Sequence, residues 1–180
     1  VTNAQAFTGQ IAANLADVTS NAQSGSNAAL STAYTIPVND AQTATAYRMT
    51  AWGDFHSASS GQGQVHWQVN VGSTSVASAT LGGGWQAPGV SYEWVATVIV
   101  QWNTIGSSGN LTCCLQVTAS EFNTVLGNTV TSTYGMAGGS STNSISTQVA
   151  NTYQLLGGWN NSASGQTIRC FGSVVERLGP

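Results

Sequence analysis

Lysine is missing from all 180 residues, and the basic side chains are three arginines, Arg48, Arg169 and Arg177. Charged residues make up 5% of the chain, against about 25% in an ordinary soluble domain. Solubility therefore has to come from Ser, Thr, Asn, Gln and Gly. The shortage of cations argues against DNA, RNA and anionic membranes as partners, because affinity for phosphate comes from Lys and Arg displacing counterions. It also excludes a lysine–asparagine isopeptide bond as a brace. No stretch approaches the roughly 18 consecutive apolar residues of a membrane helix. Val1 to Gln10 lacks the basic-then-apolar order of a secretory signal.

Cysteine is nearly as scarce. Cys113, Cys114 and Cys170 are too few for a disulfide scaffold and lack the C-x-x-C spacing of a zinc site. If strand alternation holds, Cys113 and Cys170 both face the core. They are then either bridged or, the favoured reading, buried free thiols that pack as small hydrophobes.

The supply of groups for catalysis is equally thin, with six acids and two histidines. Asp54, His56 and His66 form the one local cluster resembling an acid–base or metal site, and solvent-facing histidines are the favoured reading of it. Glu93 and Glu121 would suit a glycosidase pair only at a fixed separation of several ångströms, which nothing in the sequence sets. No G-x-S-x-G elbow is present. The expectation is no catalytic residue, no metal and no cofactor. Asn110-Leu-Thr112 and Asn160-Asn161-Ser162 match glycosylation sequons, which arise by chance in an Asn- and Ser-rich chain.

What the chain does have is 41% apolar residues and six tryptophans, enough for one compact domain. Its apolar runs alternate with period two, the mark of strands in antiparallel sheets. Val65, Trp67, Val69 and Val71 alternate with His66, Gln68 and Asn70, and Gly72-Ser73 ends that strand. Trp94, Ala96, Val98, Val100 and Trp102 alternate with Glu93, Val95, Thr97, Ile99 and Gln101, a set that is itself partly apolar. This segment therefore reads as a central strand covered on both faces. Further strands are expected at Ala46 to Phe55, Leu111 to Ala119, Thr152 to Leu156 and Thr167 to Leu178, with long loops at 57–64, 82–89, 120–143 and 160–166. The fold expectation is all-β, an antiparallel, jelly-roll-like β-sandwich over residues 34–180. Residues 1–33 form an N-terminal arm or edge segment; a helix over Ala4 to Val18 is the weaker alternative.

Sheet edges are commonly blunted with lysine, proline or inward charge. This chain has no lysine and three prolines. Assembly with further copies hides edges and tolerates low surface charge, so a homo-oligomer, a trimer by preference, is expected. Trp67, Trp94 and Trp102 belong to core or interface. Trp85, Tyr134 and Trp159 lie beside glycines and amides in expected loops, where flat rings suit the C–H faces of sugars. They are the candidate ligand residues, with core or subunit packing the favoured reading of them.

Three stretches carry a family resemblance: Tyr34-Thr-Ile-Pro37-Val-Asn39-Asp40, Ala46-Tyr47-Arg48 leading to Ala51-Trp52-Gly53, and Val174-Val175-Glu176-Arg177-Leu178-Gly179. Together they resemble tail-associated or capsid-decoration virion proteins common in actinobacterial phages and prophages. The resemblance spans about residues 34–55 and 145–179. It implies a jelly-roll-like sandwich located in a virion, in contact with capsid or tail proteins, with no known catalytic residues to carry over. In physical terms, Asn39-Asp40 supplies a turn, Gly53 permits a bulge or close strand approach, and Arg48 is expected to pair with Glu176. The function expected is a non-enzymatic virion structural protein serving as capsid decoration or as a tail or fibre module. A carbohydrate-binding module that recognises a cell-surface glycan is the alternative, and a glycoside-active enzyme a weaker third.

Overall fold

A computed structural model describes residues 9–15, 17–57, 63–81, 91–121, 134–161 and 165–179, and for 121 and 134–143 it describes the backbone alone. Among these residues the secondary structure is entirely strand and turn. The strands are β1 (Gly9–Asn14), β2 (Val18–Ser20), β3 (Ala28–Ala29), β4 (Tyr34–Ile36), β5 (Ala46–His56), β6 (Val65–Val71), β7 (Thr74–Leu81), β8 (Ser91–Thr104), β9 (Gly109–Glu121), β10 (Tyr134–Ile145), β11 (Asn151–Trp159) and β12 (Thr167–Leu178).

The strands form two antiparallel sheets. A seven-stranded sheet runs β1-β12-β5-β8-β9-β10, with β2 also on β12. A five-stranded sheet runs β3-β11-β6-β7, with β4 also on β11. Setting aside the β9–β10 hairpin, and taking β1/β2 and β3/β4 as one strand each, the order becomes first-eighth-third-sixth facing second-seventh-fourth-fifth. That is the interleaving of two Greek keys in a jelly roll. The expected antiparallel sandwich is therefore present, with one added hairpin widening the larger sheet.

Alternation builds the core. Along β5 and β6 buried and half-buried residues alternate without a break, because successive side chains leave a strand on opposite faces. The inward set meets in a single cluster. Within it Phe55, next to the end of β5, stacks on its cross-strand neighbour Tyr92, ring centroids 5.1 Å apart. It also presents its ring edge-on to Trp67 and Trp159 of the smaller sheet, at 6.0 and 5.9 Å. The Tyr153 hydroxyl donates across the sandwich to the Val98 carbonyl at 3.2 Å.

Residues 9–15 and 17–33 lie against the body of the sandwich. β1 and β2 pair with β12, β3 pairs with β11, and Gly25 N–H donates to the Trp159 carbonyl at 2.8 Å. The chain here crosses over Gly158 so closely that a Cβ on that residue would stand 2.1 Å from the Ser26 carbonyl oxygen. Gly157-Gly158 is thus a close crossing inside β11, where the sequence reads as a loop. The turn expected at Asn39-Asp40 is present, with Asn39 at φ 59° and Asp40 N–H donating to the Pro37 carbonyl.

Two strands depart from the sequence reading. β10 occupies the second half of the expected 120–143 loop. Its sequence, rich in Gly and Ser, has little strand propensity, and the ladder with β9 from Ala119 to Gly109 holds it in place. β7 has no clean alternation because its ladder with β6 shifts register at Val69/Asn70, so that Val76 and Ala77 are both buried.

Candidate functional site

The two outer faces of the sandwich differ in chemistry. On the smaller sheet the outward residues of β6 are His66, Gln68 and Asn70, and amides link to one another there. Asn27 Nδ2 donates to Gln68 Oε1, and Gln68 Nε2 to Asn70 Oδ1, each at 2.8 Å. Burial holds the His66 imidazole below its ordinary pKa, favouring the neutral form.

The outward residues of the larger sheet form cross-strand rows set by register. One row is Thr167, His56 and Ser91; the next is Arg169, Asp54, Glu93 and Ser120. A third is Gly172, Trp52, Val95 and Thr118, a fourth Val174, Thr50, Thr97 and Gln116, and a fifth Glu176, Arg48, Ile99 and Cys114. Ion pairs occupy two of these rows. Arg169 Nε donates to Asp54 Oδ1 at 2.8 Å, and its Nη2 contacts Asp54 Oδ2. Arg48 Nε donates to Glu176 Oε2 at 2.7 Å, a contact that lowers the Glu176 pKa. Arg48 and Glu176 therefore pair as the sequence leads one to expect, directly across neighbouring strands. Arg177, with Nε 3.5 Å from Asp40 Oδ2, completes the set, so every arginine faces a carboxylate.

Between the two paired rows Trp52, Val95 and Val174 alternate with Thr50, Thr97, Gln116 and Thr118. The β12 ladder shifts register between Cys170 and Gly172, and this bulge adds Phe171 to the outward set, as bulges re-aim side chains. The Arg169 guanidinium sits 5.2 Å from the Phe171 ring centroid. The six-membered ring of Trp52 covers Gly172, its Cζ2 lying 2.7 Å from where a Cβ would be. Val95 and Ile99 are 48% and 36% exposed. Trp52, Glu93, Val95 and Phe171 line an open cleft of about 290 Å³. Next to it, Thr19, Asp54, His56, Ser91, Thr167 and Arg169 line a polar cleft of about 370 Å³ at the sheet's rim. His56, Ser91, Glu121, Tyr134 and Thr167 are the strand ends at this rim.

Of the candidate ligand aromatics, Trp85 lies outside the described residues. Tyr134 opens β10 opposite Ala119, its side chain also outside them. Trp159 is corrected: it ends β11 fully buried against Phe55, with no face open to a sugar. Sequence reasoning missed Trp52 and Phe171 as surface aromatics. The signal for Trp52 was its place in the half-buried register of β5; the bulge that turns Phe171 outward has no local signature.

Cys113 and Cys170 are free and buried. Three strand spacings, about 14 Å, separate β9 from β12, beyond the roughly 7 Å Cα limit for a disulfide. Burial pushes the Cys113 thiol up to about 12 and raises Cys170 as well, so neither is a nucleophile near neutral pH.

The Asp54, His56 and His66 cluster does not assemble. Asp54 is engaged by Arg169, His56 Nδ1 lies 3.1 Å from Ser91 Oγ, and His66 stands on the other sheet. Glu93 is exposed on the outer face of β8, while Glu121 ends β9 opposite Tyr92, its side chain outside the described residues. Among the described residues no three His, Cys, Asp or Glu side chains converge on a metal position. No family model, no curated protein and no solved structure matches the chain.

Proposed function

We propose that this chain is a non-enzymatic structural protein of a bacteriophage particle, a homotrimer serving as capsid decoration or as a tail or fibre module. The observation that carries the reading is the larger sheet's outer face, where Arg48 and Arg169 are held in internal ion pairs and Trp52, Val95 and Phe171 gather beside them. Such a surface works by contact, and its paired arginines leave little to attract a phosphate backbone. The jelly roll agrees with what the family resemblance implies. The expected result in sedimentation equilibrium is a species of three times the 18.4 kDa chain mass, and mass spectrometry of purified particles should find the chain in them. A single-chain mass at every working concentration, with the chain absent from particles, overturns the reading.

One observation favours glycan recognition as a second reading. The polar rim cleft brings hydroxyls, an imidazole and an ion pair to the place where the segment holding Trp85 enters β8. Glycan-array binding that disappears in Trp85→Ala and His56→Ala would support it. Binding that survives both substitutions, or none at all with the intact chain, removes it.

A further inference from the structure

We infer, resting on the glycan-recognition reading above, that the polar rim cleft and the aromatic cleft beside it form one site for a neutral oligosaccharide. One sugar ring would sit among Thr19, His56, Ser91 and Thr167, and the next against Phe171 and Trp52.

The two clefts share a wall. Asp54 and Arg169 line the polar one and Glu93 the aromatic one, and all three belong to a single cross-strand row. On β5 the site runs from His56 through Asp54 to Trp52, alternate residues of one face, and so covers roughly 13 Å. That is longer than one pyranose ring and suits a linked pair. The clefts, about 370 and 290 Å³, each admit a ring of that size.

Each cleft has the chemistry of a sugar subsite. In the first, the hydroxyls of Thr19, Ser91 and Thr167 and the His56 imidazole stand beside a two-pronged ion pair. A guanidinium carries five N–H donors and a carboxylate about four acceptor positions, and Arg169 and Asp54 use two of each on one another. Donors and acceptors therefore lie side by side, as neighbouring sugar hydroxyls require. In the second cleft, rings replace polar groups. Trp52 lies over Gly172, and the Arg169 guanidinium sits 5.2 Å from the Phe171 ring centroid. Both rings are half-buried and held by these contacts, so stacking the C–H face of a sugar on them costs little ordering. Val95, 48% exposed, adds apolar surface beside them.

Charge sets the class of ligand. Arg169 is the one arginine lining either cleft; it is bonded to Asp54, and the charge of Asp17 acts on it as well. Glu93 is exposed on the same row, so three acids face one arginine. A phosphate, sulfate or uronate would meet excess negative charge, whereas sugar hydroxyls donate to carboxylates. Around the clefts the outward residues include Thr50, Thr97, Gln116 and Thr118, a solvated finish unlike the apolar centre of a protein interface.

The full chain is to be screened on an array of neutral mono-, di- and trisaccharides and their sulfated and uronic forms, with the binders titrated by NMR shifts. Neutral sugars of two rings should bind about tenfold more tightly than the corresponding single rings, and the anionic forms more weakly than the neutral ones. Phe171→Ala should erase the gain from the second ring and leave single-ring affinity unchanged, a pattern that general loss of structure does not give. If this variant fails to fold, Phe171→Leu, which keeps apolar bulk at the bulge without a flat ring, should erase the same gain and decides. His56→Ala should weaken one-ring and two-ring sugars alike. A second ring that adds nothing in the intact chain, a gain that persists in the Phe171 variants, or a preference for anionic sugars overturns the two-cleft site while leaving recognition at the rim intact. Binding to no sugar overturns that reading as well.

Discussion

Phe55→Ala is expected to remove about 4 kcal/mol of folding stability, near the middle of the range for deleting a buried aromatic ring. The reason is position. Phe55 belongs to the larger sheet, stacks on Tyr92 within that sheet, and meets Trp67 and Trp159 of the smaller one. Each aromatic contact adds roughly 0.5–1.5 kcal/mol beyond area burial. The surrounding rings are rigid and anchored on separate strands, so the void closes poorly. Urea unfolding followed by tryptophan fluorescence should show the midpoint falling with an unchanged slope. A loss below about 1 kcal/mol would mean that the two sheets are not held together at this point.

Gly53→Ala is expected to cost about 3 kcal/mol or more, although it adds a single methyl group. A Cβ at Gly53 would stand 1.9 Å from the Arg169 carbonyl oxygen and 2.9 Å from the Cys170 Cα. These are backbone atoms of the neighbouring strand, so no rotamer change relieves the clash. β5 and β12 must separate where the bulge and the Asp54–Arg169 pair sit. Gly25→Ala is the control. Gly25 has φ +78° with nothing within 4 Å of the added atom, so its cost should be the backbone term alone, about 1 kcal/mol. Equal losses in the two variants, measured by the same urea titration, would show that the close approach at Gly53 is not what the alanine disturbs.

The fold was largely readable because period-two alternation is a property of the strand backbone itself. Val65 to Val71 and Glu93 to Trp102 declare their inward sets without knowledge of their neighbours. β10 was not readable, since its Gly- and Ser-rich sequence becomes a strand only by pairing with β9. Trp159 was misplaced for a related reason. Gly157-Gly158 ahead of it has the local appearance of a turn, but those glycines make room for Leu30 and the chain near Ser26, some 130 positions earlier. Arg48–Glu176 was legible because both residues lie in long, clearly alternating strands. Arg169–Asp54 was not, because Asp54 had a nearer histidine to be read with.

The sequence by itself determined that this chain is an all-β sandwich of low charge, and which side chains turn inward, because both follow from composition and from the geometry of a single extended strand. Tertiary structure alone decided the rest. It set Trp52 over Gly172, turned Phe171 outward through the bulge, separated Cys113 from Cys170, and gave one sheet face its ion pairs and the other its linked amides. Each of these depends on which strand lies beside which and in what register, and such pairings join residues far apart in the chain.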